Sequence, residues 1–452
     1  MRSLIAMHSM ITVDPALLLR SIEVDEVDRW TSPRRTSYLV TCAQSAGVGT
    51  IASFDTAIDR VGTVTRAEPR TGSWVEATVR QATVGLDPAS TYAAFMGRQP
   101  VRYGIIGTGM MGGEHITNLA HIADAQVVAL ADPVHSSLER GRACVGHAVD
   151  TYDDHRALLQ RDDLDAVVIA SPNFTHAALL HDVFATDLAV MVEKPMCTTV
   201  ADCLDVRARA QGRSAMTWVG LEYRYIPTVA SLLDQLASGV CGTTRMVSIR
   251  EHRFPFLVKV GDWNRFTANT GGTLVEKCCH FFDLMRLVAG ADPVRVMASG
   301  SQDVNHLDEV YDGRVPDIID NAFVIVDFAN GVRGALDLSM FAEGGRFEQE
   351  ITVVGDRAKL ETVVPGHAVW VGPRDPSGVR EIDAPTPEDV SYSGFHHGSS
   401  FVEHLRFIEC LRAGRPAEVT VDDGLWSVLM GAAAHRSIDE GRVVEVAEYD
   451  LA

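Results

Sequence analysis

The chain has 452 residues, 46% hydrophobic and 22% charged, with 40 basic against 60 acidic side chains and a net charge of −20. That length accommodates two or three domains with sizeable cores, and the composition is that of a globular protein. The negative balance excludes nucleic-acid backbones and anionic membrane surfaces as partners, and no apolar run reaches membrane-spanning length.

Residues 1–99 carry little pattern. Met1–Met7 hints at a signal peptide, but His8 and Asp14 interrupt the apolar region and no clear small-residue cleavage site follows. From Ser21 to Gln99 the charge is mixed, threonine is frequent and periodicity is poor. This reads as a poorly ordered extension or as sequence upstream of the working protein, with a folded accessory domain as the alternative. Eight scattered cysteines form no C-x-x-C pair, and Cys278-Cys279 lacks metal-ligand spacing. Reduced thiols in a cytoplasmic protein are expected.

Regular alternation begins at Pro100. The apolar run Val101–Ile106 ends in Gly107-Thr108-Gly109-Met110-Met111-Gly112, and a helical pattern follows. This G-x-G-x-x-G spacing has a separate reason for each glycine. Gly107 permits the tight turn, Gly109 lets backbone N–H groups approach a pyrophosphate, and Gly112 lets the helix pack on the strand. The new helix aims its unpaired donors and dipole at the phosphates. Asp132 closes the next apolar run, 20 residues beyond Gly112. A carboxylate there accepts the adenosine ribose hydroxyls and repels a 2′-phosphate, so NAD is expected over NADP.

Further strands are expected at 165–171, 189–193 and 216–220, each preceded by a helix. Continuous apolar strands separated by helices give a doubly wound parallel sheet with ligands beyond the strand C-termini. The residues there are Ser171-Pro172-Asn173-Phe174-Thr175-His176, then Glu193-Lys194-Pro195, then Glu222-Tyr223-Arg224. Ser171, Pro172, Asn173, Thr175, His176, Glu193 and Lys194 line the expected cofactor edge. Asn173 and Thr175 can contact the nicotinamide side or cap the next helix. His176 stands in that helix's first turn, where a solvated side chain is expected. Lys194, at a buried strand end, needs a partner or a task. It can stabilise developing alkoxide charge, or pair with Glu193.

After residue 222 the pattern changes. Alternating strands are expected near 243–252, 293–300, 321–328, 334–340, 347–355 and 359–364. Turns such as Asn330-Gly331 join them into an open, largely antiparallel sheet. Helices are expected at 228–238, 273–289, 399–412 and 422–440, with Gly394–Gly398 as a flexible lead-in. The domains are therefore 1–99, 100–222 and 223–452. If 274–289 is one helix, Glu276, His280 and Asp283 share a face. His280 then suits general-base work, with a carboxylate fixing its tautomer. Thr273-x-x-Glu276 also reads as a capping box. The stripe lacks a metal-ligand pattern, and no metal is expected.

The set GIIGTGMMG, ASPNFTHA, VEKP and GGTLVEKCCHFFD, in this order, resembles the glucose–fructose oxidoreductase / inositol dehydrogenase family (Gfo/Idh/MocA) over residues 100–452. The resemblance implies an N-terminal Rossmann domain and a C-terminal α/β domain whose open sheet lines the substrate pocket and often mediates oligomers, here a dimer or tetramer. It makes Lys194 the active-site lysine, His280 the catalytic base and Asp283 its support. Glu276 stands where inositol dehydrogenases carry aspartate. The run Arg250–Arg265 resembles the substrate loop of members acting on sugars or glycosides, with Trp263 able to stack on a sugar face and Asn264 beside it; Arg224 is a further substrate candidate. The expected reaction is hydride transfer from a secondary hydroxyl of a sugar, glycoside or cyclitol to the nicotinamide. Alternatives are a redox-neutral NAD-dependent glycosidase and a non-catalytic NAD-binding regulator.

Overall fold

The computed structural model describes residues 99–451, and the readings of residues 1–98 lie outside that range. The first sheet is built from β1 (Val101–Ile106), β2 (Ala125–Ala131), β3 (Asp150–Tyr152), β4 (Ala166–Ile169), β5 (Ala189–Glu193) and β6 (Thr217–Gly220). Their order is β3-β2-β1-β4-β5-β6, and every pairing is parallel. The order reverses at β1, so the crevice above β1 and β4 is the switch point where such sheets take ligands. Both faces are covered, by α1 (Met110–Ala120), α2 (His135–Val145), α3 (His155–Leu159), α4 (His176–Phe184) and α5 (Val200–Ala210). All residues of β4 and β5 are accordingly buried.

The second sheet has nine strands in the order β14-β13-β12-β11-β7-β10-β9-β8-β15. They are β7 (Thr244–His252), β8 (Pro293–Ser301), β9 (Asn321–Phe328), β10 (Arg333–Ser339), β11 (Gln349–Gly355), β12 (Ala358–Val364), β13 (Ala368–Pro373), β14 (Arg380–Asp383) and β15 (Val444–Glu445). Only β7 and β10 run parallel; the other pairs are antiparallel. The expectation of a doubly wound parallel sheet followed by an open and largely antiparallel one is borne out. One face of this sheet packs on α6 (Pro227–Ala237), α9 (Cys279–Ala289) and α11 (Val421–Glu440). The other is open. Along β9 buried Ala322, Val324 and Val326 alternate with exposed Phe323 and Ile325, the period of two that a one-sided sheet demands.

The C-terminal helices cross back to the first sheet. Phe401 and Phe407 of α10 (Ser399–Ala413), with Leu425 and Val428 of α11, belong to the same apolar core as β1–β6. The Val219 amide donates to the Val419 carbonyl at 3.1 Å. Residues after 398 therefore pack beneath the ends of β5 and β6, where the candidate site lies.

The expected helix 273–289 is broken. α8 (Thr273–Glu276), which follows the single turn α7 (Thr267–Thr270), ends at Lys277, and α9 begins after Cys278, whose ψ of −3° lies at the edge of the helical region. The break lets the buried Lys277 turn inward, 2.9 Å from Glu251 and 2.7 Å from the Tyr223 hydroxyl. No apolar periodicity announces such a turn.

Candidate active site

The glycine turn has the geometry of a phosphate cradle. Gly107 has φ +90°, and a Cβ there would lie 2.7 Å from the Ala170 backbone. A Cβ on Gly112 would meet the Gly107 carbonyl oxygen at 2.0 Å, so strand and helix approach as closely as backbones allow. Gly109 faces open space, and α1 begins after it with no side-chain cap. The first N–H groups of α1 therefore stay available to an anion. Asp132 is buried beside them; one oxygen accepts the Thr108 amide at 2.8 Å and the other the Val134 amide at 2.8 Å. The glycine turn and the aspartate are thus locked together, with carboxylate lone pairs to spare for ribose hydroxyls. These residues fit a dinucleotide.

Beyond β4, the capping reading of Asn173 and Thr175 fails. Neither side chain caps α4. Thr175 donates to the Pro172 carbonyl at 2.7 Å and lies 2.7 Å from the Ser171 hydroxyl. Asn173 is buried, and its Nδ2 has no partner among the described residues. His176 is not solvated: its ring is buried, held by the Pro195 carbonyl at 2.8 Å and the Ser171 carbonyl at 3.1 Å. It ties the ends of β4 and β5 together.

At the end of β5, the Lys194–Pro195 peptide is cis. Glu193 is not the lysine's ion partner. One of its oxygens is 2.9 Å from His115 Nε2, and the other accepts the Lys194 amide at 3.1 Å. The Lys194 ammonium instead donates to the Glu276 backbone carbonyl at 3.2 Å, joining the two halves of the site. Burial alone would lower its pKa, but the acidic groups around it, with the ionised Glu193 among them, outweigh that and hold it charged.

His280, in the first turn of α9, is buried with its ring stacked 3.9 Å from that of Tyr223 at 7°. Burial, followed by the charges of Lys194 and Lys277, drives its pKa well below the ordinary value. The imidazole is neutral at physiological pH, the form a base requires. Glu276 does not form the expected capping box: Gly272 precedes α8 without a side-chain cap, and Thr273 donates to the Ile319 carbonyl at 2.5 Å. Freed from capping, the Glu276 carboxylate is buried with Oε2 unpartnered among the described residues. Burial raises its pKa, opposed by Lys194, Lys259, Arg265 and Arg253.

Three expectations need correction. Asp283 does not orient His280. Its oxygens take both arms of the Arg224 guanidinium, at 2.6 and 2.5 Å. Arg224 is thereby withdrawn from substrate; it also meets Asp423 at 3.2 Å and the Glu418 carbonyl at 3.0 Å, a buried bidentate pair linking the turn after β6 to α9 and α11. Asn264 is buried and donates to the Leu257 carbonyl at 3.0 Å, holding its own loop. Trp263 is half-buried and edge-on to Phe174, with ring centroids 6.4 Å apart, so it meets the turn after β4 from the other domain.

Sequence reasoning missed Glu222. It is the carboxylate that lies beside His280, 3.8 Å from Nδ1. The signal was available: Lys194 directly follows the buried strand β5, and Glu222 follows the buried strand β6 with only Leu221 between. His396, 3.6 Å from Glu222, lies in Gly394–Gly398, where the sequence predicts only a flexible lead-in.

Residues 101–221 match the family model described as oxidoreductase family, NAD-binding Rossmann fold, and residues 234–446 match that family's C-terminal alpha/beta domain. The chain belongs to the GFO/IDH/MocA oxidoreductase family. The cradle built by Gly107, Gly109 and Gly112 is therefore that of an NAD-binding domain. Among relatives of this family oxidoreductase, the myo-inositol 2-dehydrogenase of Thermotoga maritima is 27% identical over 77% of this chain and 99% of its own. The inositol 2-dehydrogenase of Rhizobium meliloti is likewise 27% identical, over 77% of this chain and 99% of its own. The crystal structure of a probable dehydrogenase from Thermotoga maritima superposes with a TM-score of 0.63 at 26% identity, covering 77% of this chain and 99% of that one.

Proposed function

We propose that the protein is an NAD-dependent dehydrogenase that oxidises a secondary hydroxyl of a cyclitol or sugar. The observation that carries this reading is the meeting of the charged Lys194 with the Glu276 carbonyl, one turn from the buried, neutral His280, at the C-terminal edge of the NAD-binding sheet. The inositol dehydrogenases among the relatives support the substrate class. Bound NAD supplies the electron acceptor. His280 takes the hydroxyl proton at Nε2, because Nδ1 faces Glu222. Lys194 holds the substrate oxygen as charge develops on it. Glu276 accepts a hydrogen bond from a neighbouring hydroxyl, and Trp263 packs on the apolar face of the ring. A screen of inositols, sugars and glycosides for NADH formation tests the reading; a substrate specific to this chemistry supports it, and inactivity with all three classes refutes it.

Asp132 is assigned to the ribose hydroxyls. Asp132→Ser is expected to weaken NAD binding about tenfold and to narrow the preference over NADP by removing the charge that repels a 2′-phosphate. Titration with both coenzymes measures this, and an unchanged preference would refute the assignment.

We also propose that the open sheet face joins copies of the chain. Phe323 (66% exposed), Ile325 (49%), Met246 (53%) and Met297 (53%) make it apolar where a monomer's surface would be mixed. Phe323→Glu with Ile325→Glu is expected to reduce the assembly to monomers in sedimentation velocity; an unaltered assembly would place the interface elsewhere.

A further inference from the structure

Glu222 has no task in the reaction above, yet it is built into the site at a price in stability. It opens the 3₁₀ turn Glu222–Tyr225 after β6 and is buried. Neither of its oxygens has a hydrogen-bond partner among the described residues. A buried, unpaired carboxylate is strongly destabilising unless it holds a proton or exchanges one. Its two oxygens face two histidines from distant parts of the chain. Oε2 lies 3.8 Å from His280 Nδ1, itself unpartnered, and Oε1 lies 3.6 Å from His396 Nδ1. The gaps exceed an ordinary hydrogen bond by about 0.9 and 0.7 Å, distances that small side-chain rotations close on substrate binding.

His396 sits in the segment leading into α10, and that segment is pinned. The Phe395 amide donates to Glu114 Oε1 at 3.0 Å, the Tyr392 hydroxyl to Glu114 Oε2 at 3.2 Å, and the Ser399 amide to the His396 carbonyl at 3.0 Å. Its Nδ1 also lies 3.5 Å from the Ser400 hydroxyl, which is therefore a neighbour of the Glu222–His396 gap. The His396 side chain is 21% exposed, against 1% for His280 and 2% for Glu222. The three groups thus run from the sealed interior to the surface.

We propose that Glu222 and His396 form the route by which the proton taken from substrate leaves the enzyme. This rests on the dehydrogenase reading of the site. His280 accepts the hydroxyl proton at Nε2 and passes its Nδ1 proton to Glu222 Oε2. Glu222 releases the proton on Oε1 to His396 Nδ1, and His396 releases its Nε2 proton to solvent. One proton enters and one leaves, each group ends with the charge it began with, and return of His280, Glu222 and His396 to their starting tautomers frees His280 Nε2 for the next turnover. A carboxylic acid suits the middle place because one oxygen donates while the other accepts.

The surroundings support these protonation states. Glu193, Lys194, Lys277 and Glu403 act on Glu222 from neighbouring elements, beside His280 and His396. Burial and then Glu193 push its carboxyl up to about 8, against the pull of Lys194 and Lys277. Burial brings His396 down to about 3, against Glu193. At neutral pH Glu222 is largely protonated and both histidines are neutral, as the route requires.

The test uses the full chain with NAD and the best substrate of the screen, alongside Lys194→Ala. Glu222→Gln, which cannot pass a proton, is expected to lower kcat about 10- to 100-fold with KM and NAD affinity unchanged, and Glu222→Asp to recover part of the loss. His396→Ala is expected to fall similarly and to be restored by added imidazole, a response that a structural defect would not give. Infrared difference spectra at neutral pH are expected to show a protonated carboxyl band in the parent that Glu222→Gln lacks. Full activity of Glu222→Gln and His396→Ala beside an inactive Lys194→Ala would overturn the route alone. Failure of the parent to form NADH from any substrate would overturn the dehydrogenase reading and the route with it.

Discussion

Lys194→Ala is expected to reduce turnover by about 2–4 powers of ten while leaving NAD affinity within about twofold. The ammonium is the cation that reaches across to Glu276, and burial is overruled by the acidic groups around it, the ionised Glu193 among them, so that it stays charged. Its removal deletes stabilisation of charge that develops on the substrate oxygen, which appears in kcat. The dinucleotide is held elsewhere, by the turn at Gly107–Gly112, the start of α1 and Asp132. Steady-state kinetics with calorimetric titration of NAD separates the two effects. Unchanged turnover would remove Lys194 from the mechanism, and a parallel loss of NAD affinity would make it a coenzyme anchor.

His280→Gln is expected to lower kcat/KM by a similar factor, because the amide fills the slot against Tyr223 but cannot take a proton. The parent's pH profile carries a further consequence. Burial, Lys194 and Lys277 hold the imidazole far below its usual value of 6.5. A base is active only when unprotonated, so activity persists as pH falls through 6.5 and is lost only well below it. A profile of kcat/KM against pH that breaks near 6.5 would show that His280 titrates as an ordinary, solvated histidine and is not the base held in this pocket.

The parts of the fold that depend on local pattern were legible in the sequence. Apolar runs at Val101–Ile106 and Ala189–Glu193 mark buried parallel strands, and Gly107, Gly109 and Gly112 carry their steric reasons in their spacing. The short edge strands β3, β14 and β15 bury too little to leave a pattern. What the sequence did not reveal was convergence. The helical stripe put Asp283 beside His280, but Arg224, some 60 residues earlier in the chain, claims that carboxylate at 2.5 Å. The carboxylate that does face His280 is Glu222, and the histidine behind it, His396, lies beyond β14, more than 170 residues further along the chain. No spacing rule connects such residues; only the return of the chain beneath β6 brings them together. The break between α8 and α9 was hidden for a related reason, since Lys277 turns inward to Glu251 and Tyr223, groups from other elements.

The central claim is that this site removes hydrogen from a CH–OH group and passes its electrons to NAD. Single-turnover mixing of the full chain and NAD with the best inositol or sugar, followed by absorbance, tests it most directly. One equivalent of NADH per site, accumulating into solution over further turnovers, is the predicted result. NADH that forms and disappears within each cycle with no net gain would point to redox-neutral cleavage of a glycoside, and NAD binding with no reduction under any substrate would contradict the account.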